Sequence, residues 1–180
     1  MIGIIDSIRT EMQSVFAELL NWCAKDDALL NYKPPQGWTI KDILEHITLT
    51  NHYLLIIIKK GTRKAVEAAR TTVVPANYIF EWDRMDAIGK HRSFAWTRPE
   101  HMEPTGNVPA NDIADKLLFQ LNDCLDCLNT LKNGEGALYK VTMSVNDLGK
   151  IDMYHYIYFL VQHAKRHITQ MENIVNGPVA

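Results

Sequence analysis

Apolar positions recur every three or four residues along four long stretches of this chain, the pattern of helices that each bury one stripe. The first stretch, residues 4 to 30, carries Ile5, Ile8, Met12, Val15, Phe16, Leu19, Leu20 and Cys23. It fades before Pro34-Pro35, because a proline disfavours the helical conformation of the residue before it. Tyr32 to Gly37 is then a short connector. The second helix starts at Thr39, a capping residue with Asp42 three positions on, close to a capping box. It continues through Ile40, Ile43, Leu44, Ile47, Leu54, Leu55 and Ile58, and Lys59-Lys60-Gly61 reads as its stop. Trp38, just before the cap, is placed to staple the entering chain to the helix. The third begins near Pro109 or Asn111 and carries Ile113, Leu117, Leu118, Leu121, Cys124, Leu125, Leu128 and Leu131, ending at Lys132-Asn133-Gly134. The fourth is an amphipathic helix over 152–175. Before it, residues 135–150 hold a short extended piece, YKVTMSV, and a turn from Asn146 to Gly149.

Residues 62–108 break this regularity. A short helical piece fits around Lys64 to Arg70 and another turn or two over Asp83 to Lys90, with VVPANYIFEW extended or irregular between them. The segment closes on the Pro- and Gly-rich RPEHMEPTGNVP. It predicts a long irregular crossover between helices two and three, and loops of that length commonly line or cover a site. Four amphipathic helices with one long crossover give an all-α, four-helix-bundle expectation. At 180 residues the chain fits a single domain over 1–180, with no repeat or linker to divide it.

Composition narrows the partners. With 47% hydrophobic and 22% charged residues, the chain has the balance of a globular protein rather than a disordered one. Nineteen Lys+Arg against 21 Asp+Glu, net −2, give no broad basic footprint, so no nucleic-acid partner is expected. The longest apolar run, Leu54 to Ile58, is far short of the ~20 residues that span a bilayer, so no membrane is expected either. Three cysteines, at 23, 124 and 127, are no disulfide framework and suit a reducing compartment. Together with an N-terminus that carries charges in its first turns, this predicts a cytoplasmic protein.

The chemistry sits in the fourth helix. His163 and His167 stand four apart, hence one above the other on one face, where two imidazoles can share one metal ion. His46, between Leu44 and Ile47 on the apolar side of helix two, is the candidate third ligand. Three neutral imidazoles would leave a fourth position for water or substrate, as at catalytic zinc. Alternatively, the three are separate, hydrogen-bonded or solvated histidines. The metalloprotease pattern is excluded because Ala164 stands where that motif has its glutamate. Asp152 and His155 have the i,i+3 spacing of di-iron bundles but lack the second pair and the glutamates. His155 also lies about 12 Å from His163 along the helix, too far to share the ion. Cys124-Leu125-Asp126-Cys127 falls mid-helix with no preceding strand, so Cys124 reads as core and Cys127 as incidental rather than as a redox pair. His52, His91 and His101 have no usable partner spacing; His91 and His101, in or near the crossover, either approach a pocket or, the reading favoured, lie at the surface, while Trp82 and Trp96 either line a pocket or anchor the long loop.

Two motifs carry a resemblance. Gly37-Trp38-Thr39-Ile40-Lys41-Asp42-Ile43-Leu44-Glu45-His46 is similar to the helix-two signature of the DinB-like superfamily, a Trp-Ser/Thr start followed by a metal-binding histidine. His163-Ala164-Lys165-Arg166-His167-Ile168-Thr169-Gln170 resembles that family's helix-four motif, His-x-x-x-His-Arg-x-x-Gln and its variants, and Leu148-Gly149-Lys150-Ile151 resembles the approach to it. The resemblance implies an up-down-down-up bundle and a divalent metal, commonly zinc or nickel, on His46, His163 and His167. It also implies a homodimer and a thiol-dependent transferase, isomerase or hydrolase acting on a small molecule, with a low-molecular-weight thiol as possible cofactor. The arginine is displaced: Arg166 precedes His167, and is expected at the surface. Gln170 is the candidate to orient a ligand from one turn beyond His167. The competing expectation is a bundle that binds a metal or ligand without catalysis, since no convincing general acid or base accompanies the histidines.

Overall fold

The computed structural model describes residues 1–91, 93–94 and 99–177. In chain order its helices are α1 (Ile2–Cys23), α2 (Asp27–Leu30), α3 (Ile40–Ala68), α4 (Trp82–Gly89), α5 (Ala110–Thr130) and α6 (Met153–Asn176). A two-stranded hairpin, β1 (Lys140–Met143) and β2 (Gly149–Asp152), leads into α6. The protein is thus predominantly helical, and the four long helices fall on the four periodic stretches.

Their boundaries differ from expectation at two places. The first periodic stretch ends at Cys23 rather than near residue 30. The Asp26 carboxylate accepts the Leu29 N–H (2.9 Å) and starts the separate turn α2, since a short acidic side chain competes for backbone donors. Helix α3 runs through Lys59-Lys60-Gly61 to Ala68, so the helical piece around Lys64 is its own last turns. Lys59 lies outward and pairs with Asp123 of α5 at 2.6 Å. Gly61 is a point of close approach rather than a stop, because a Cβ there would run into the Met153 side chain of α6. The start of α3 is as expected. Thr39 Oγ1 accepts the Asp42 N–H and Asp42 Oδ2 accepts the Thr39 N–H, each at 3.0 Å, closing the box.

Helix α6 is the centre of the packing. It touches α1, α3 and α4, and every residue from Met153 to Ala164 is buried. Its first half is therefore covered on every side, and the polar side chains it carries there, His155, Gln162 and His163, are buried with the apolar ones. Helices α1 and α3 each also pack on α5. Buried polar contacts set the α3–α5 seam: Asn51 Nδ2 donates to Gln120 Oε1 (3.1 Å) and Gln120 Nε2 to the Thr48 carbonyl (2.8 Å). The hairpin is antiparallel with Val141 opposite Ile151 and Met143 opposite Gly149. Asn146 and Asp147 turn it at φ 46° and 50°, a conformation that short polar side chains tolerate.

The crossover from 69 to 109 is riveted down at three points. Tyr78 Oη donates to Asp152 Oδ2 (2.8 Å), and the Glu81 N–H to His155 Nε2 (3.3 Å). Arg166 Nη1 donates to the Lys90 carbonyl and Nη2 to that of Phe94. Buried Glu45 takes the far end: its Oε1 accepts from Thr105 N and Oγ1 and its Oε2 from Gly106 N, all within 2.9 Å. A charge this deeply buried is kept by its hydrogen bonds. Among the described residues, no helix is long and apolar enough to cross a membrane.

Candidate metal centre

The capped start of α3 and the middle of α6 bring the three predicted histidines together. His46, His163 and His167 are all buried, and each offers a ring nitrogen within 4.8 Å of the others'. The Nε2 atoms of His163 and His167 face one another at 3.1 Å. His46 meets both rings edge-on, with centroids 5.3 Å from His163 and 4.9 Å from His167. Trp38 covers His46 at 4.9 Å, so the staple expected at the helix start also walls the site.

The outer nitrogens decide what the inner ones can do. His46 Nδ1 lies 2.7 Å from the Met102 carbonyl, which only accepts, so this nitrogen carries the proton and Nε2 keeps its lone pair. His167 Nδ1 likewise donates to Gln170 Oε1 at 2.9 Å. Gln170 therefore orients His167. Burial holds His163 well below the ordinary imidazole range, with His167 and His46 adding to the effect. Burial, and then His46, push His167 down to about 3. Both are neutral at pH 7, the form a metal requires. The 3.1 Å contact is a hydrogen bond when His163 carries its proton on Nε2, and presents two lone pairs to one cation when it carries it on Nδ1. The donor set thus fits a divalent ion.

These histidines line a cavity of about 250 Å³, together with Trp38, His91, Arg166 and Gln170. Two expectations are corrected here. Arg166 is not a surface residue: it is 8% exposed, its guanidinium lies over the Phe94 ring at 4.9 Å, and it lines the cavity. His91 lines the cavity too, half-buried rather than on the surface. His101 packs on the Tyr53 ring and His52 is exposed on the α3–α5 face, and neither reaches the cavity. Trp82 anchors α4 by meeting Tyr158 edge-on at 5.1 Å, and Trp96 lies outside the described residues.

Cys124 and Cys127 are both buried, Cys127 included, and burial raises both thiols, so neither is a poised thiolate. Three supports of the site were not read from the sequence: Glu45, the Met102 carbonyl and Arg166. Only Glu45 left a trace there, as an acidic residue beside His46 inside an apolar run.

No curated protein and no solved structure matches the chain. The family model described as DinB superfamily matches residues 5–171. Since that span runs from the first turn of α1 past His167 and holds all three clustered histidines, the chain belongs to the DinB superfamily.

Proposed function

We propose that the chain is a metal-dependent enzyme in which His46, His163 and His167 hold one divalent ion, zinc or nickel, and that it carries out thiol S-transfer or hydrolysis on a small molecule. The observation that carries this reading is the commitment of the outer nitrogens of His46 and His167 to Met102 and Gln170, which turns their Nε2 lone pairs inward toward His163. An ion held there supplies Lewis acidity toward a thiol or a water molecule.

The remaining work falls to the chain's own side chains. Trp38, packed on His46, and His91 of the crossover form part of the cavity wall. Arg166, fixed by the Lys90 and Phe94 carbonyls, favours negative charge in the cavity, where no described lining residue is acidic. His91 is the cavity residue suited to accept or return a proton, being an imidazole outside the three-histidine cluster.

The same proposal takes α1, α3, α5 and α6 as an up-down-down-up four-helix bundle in one domain, working as a cytoplasmic homodimer. The α3–α5 contacts support the parallel middle pair, since Thr48 and Asn51 meet Gln120 while Lys59, further along α3, meets Asp123, further along α5.

The test is elemental analysis of protein without a histidine tag, beside His46→Ala and His167→Ala. About one equivalent of divalent metal, lost in both variants, supports the site and justifies screening thiol-transfer and hydrolytic substrates. No metal under any loading condition overturns it. A second reading, a non-catalytic metal-binding bundle, is favoured by the lack of any carboxylate among the described cavity residues. Turnover that disappears in a folded His163→Ala variant would exclude it.

A further inference from the structure

The metal chamber opens into a second, larger space. A vestibule of about 770 Å³ lies between the connector after α2 and the last turns of α6, and shares Gly37, Trp38, His91 and Gln170 with the chamber. The chamber, at about 250 Å³, has room for a reacting group and little more. The binding energy of a larger substrate therefore has to come from the vestibule.

Its walls are specific. Tyr32, Pro34, Pro35 and Ile174 present an apolar rim, and the two prolines fix the backbone on that side. Opposite them, Gln170 and Asn173 stand three apart on α6, one above the other, continuing the face that carries His163 and His167. Gln170 lines the vestibule and has its oxygen committed to His167, so its amide NH₂ is the group left to donate. Asn173 Oδ1 is buried with no hydrogen-bond partner among the described residues. An unmet buried acceptor is costly, and a turn of the Asn173 side chain toward a ligand N–H in the vestibule would relieve it. One donor and one acceptor, side by side, match the two edges of an amide. At ~1.5 Å per residue they lie roughly 4.5 and 9 Å beyond His167 along the helix.

We propose that this vestibule is the subsite for the non-reacting part of the substrate. It takes an elongated molecule whose amide group lies against Gln170 and Asn173 and whose apolar, preferably aromatic, end lies against Pro34, Pro35 and Ile174. The assignment of the reacting end to the three histidines rests on the metal-centre proposal above; the vestibule's selectivity does not.

Calorimetric titration of the zinc-loaded full chain separates the two. Acetohydroxamic acid probes the chamber alone, N-hydroxy-N′-phenylsuccinamide probes chamber and vestibule, and N-phenylsuccinamide, without the chelating head, probes the vestibule alone. The phenylsuccinamide hydroxamate is expected to bind at least ~10-fold tighter than acetohydroxamic acid. Asn173→Ala should remove most of that gain while leaving acetohydroxamic acid unchanged, and Ile174→Asp should weaken both phenyl probes. If acetohydroxamic acid fails to bind but N-phenylsuccinamide binds in an Asn173-dependent way, the metal reading falls and the vestibule stands. Equal affinity of both hydroxamates, or a gain indifferent to Asn173→Ala and Ile174→Asp, overturns the vestibule.

Discussion

Helix α6 carries two buried histidine environments, eight residues apart, that differ in how the protein uses the ring nitrogens. At the helix start, His155 is satisfied on both sides. Its Nδ1 donates to Asp152 Oδ1 (2.8 Å), its Nε2 accepts the Glu81 N–H, and the Phe80 ring stacks on it at 4.1 Å. Nothing is left for a ligand, and the ring serves as a rivet that holds the crossover to the helix. Two turns on, the protein takes up the outer nitrogen of His167, as it does for His46 on α3, and gathers the inner nitrogens with that of His163. Burial is alike in the two places, so burial does not distinguish a ligand histidine from a structural one. The direction of the remaining lone pair does.

This contrast can be broken most decisively by His163→Ala. Bound metal is expected to disappear while the fold, read by circular dichroism, persists. Retention of a full equivalent of metal would show that the inner nitrogens are not ligands. Next in size is Asp152→Ala, which should cost at least ~3 kcal/mol in denaturant unfolding and leave metal content intact. That carboxylate accepts the Tyr154 and His155 N–H groups and the His155 ring, all buried, and the half-buried Tyr78 hydroxyl. A variant that kept its stability but lost metal would reverse the roles of the two environments.

Gln170→Ala should weaken metal binding ~10- to 100-fold in competition with a chromophoric chelator, because it frees His167 to turn. Glu45→Gln acts one step further out, through the Thr105–Gly106 segment that carries Met102 beside His46, and a smaller loss is expected from it. The smallest effect is on pH dependence. Folding lowers the pKa of His163 and His167, the latter to about 3, so between there and the ordinary value of 6.5 the unfolded chain binds more protons than the folded one. Stability of the metal-free protein is then fully present above 6.5 and falls as the pH drops below it. Urea unfolding across that range checks this, and the slope should flatten in a His163→Ala/His167→Ala double variant.

Much of this was legible in the chain itself, and the reasons are local. The spacing of apolar residues reports on helices because each residue's place on a helical face depends on its near neighbours alone. The Thr39 cap, closed by Asp42, set the start of α3 for the same reason. The i,i+4 pair of His163 and His167 needed no tertiary information, and His46 was found from its place on an apolar face. Lys59-Lys60-Gly61 misled, since a glycine that ends a helix and one that lets two helices touch look identical until Met153 is seen against it. Arg166 misled likewise: its partners, the carbonyls of Lys90 and Phe94, are more than seventy residues away.

By itself, then, the sequence determined the four long helices, the Thr39 cap and the three histidines, each a matter of neighbours within a few residues. The tertiary structure alone decided which nitrogens of those histidines turn inward, that Glu45 and Arg166 are buried supports, and that a vestibule lies beyond Gln170. Each of those depends on where the backbone of a distant crossover comes to rest, and hydrogen-bond partners more than fifty residues apart leave no period in a sequence.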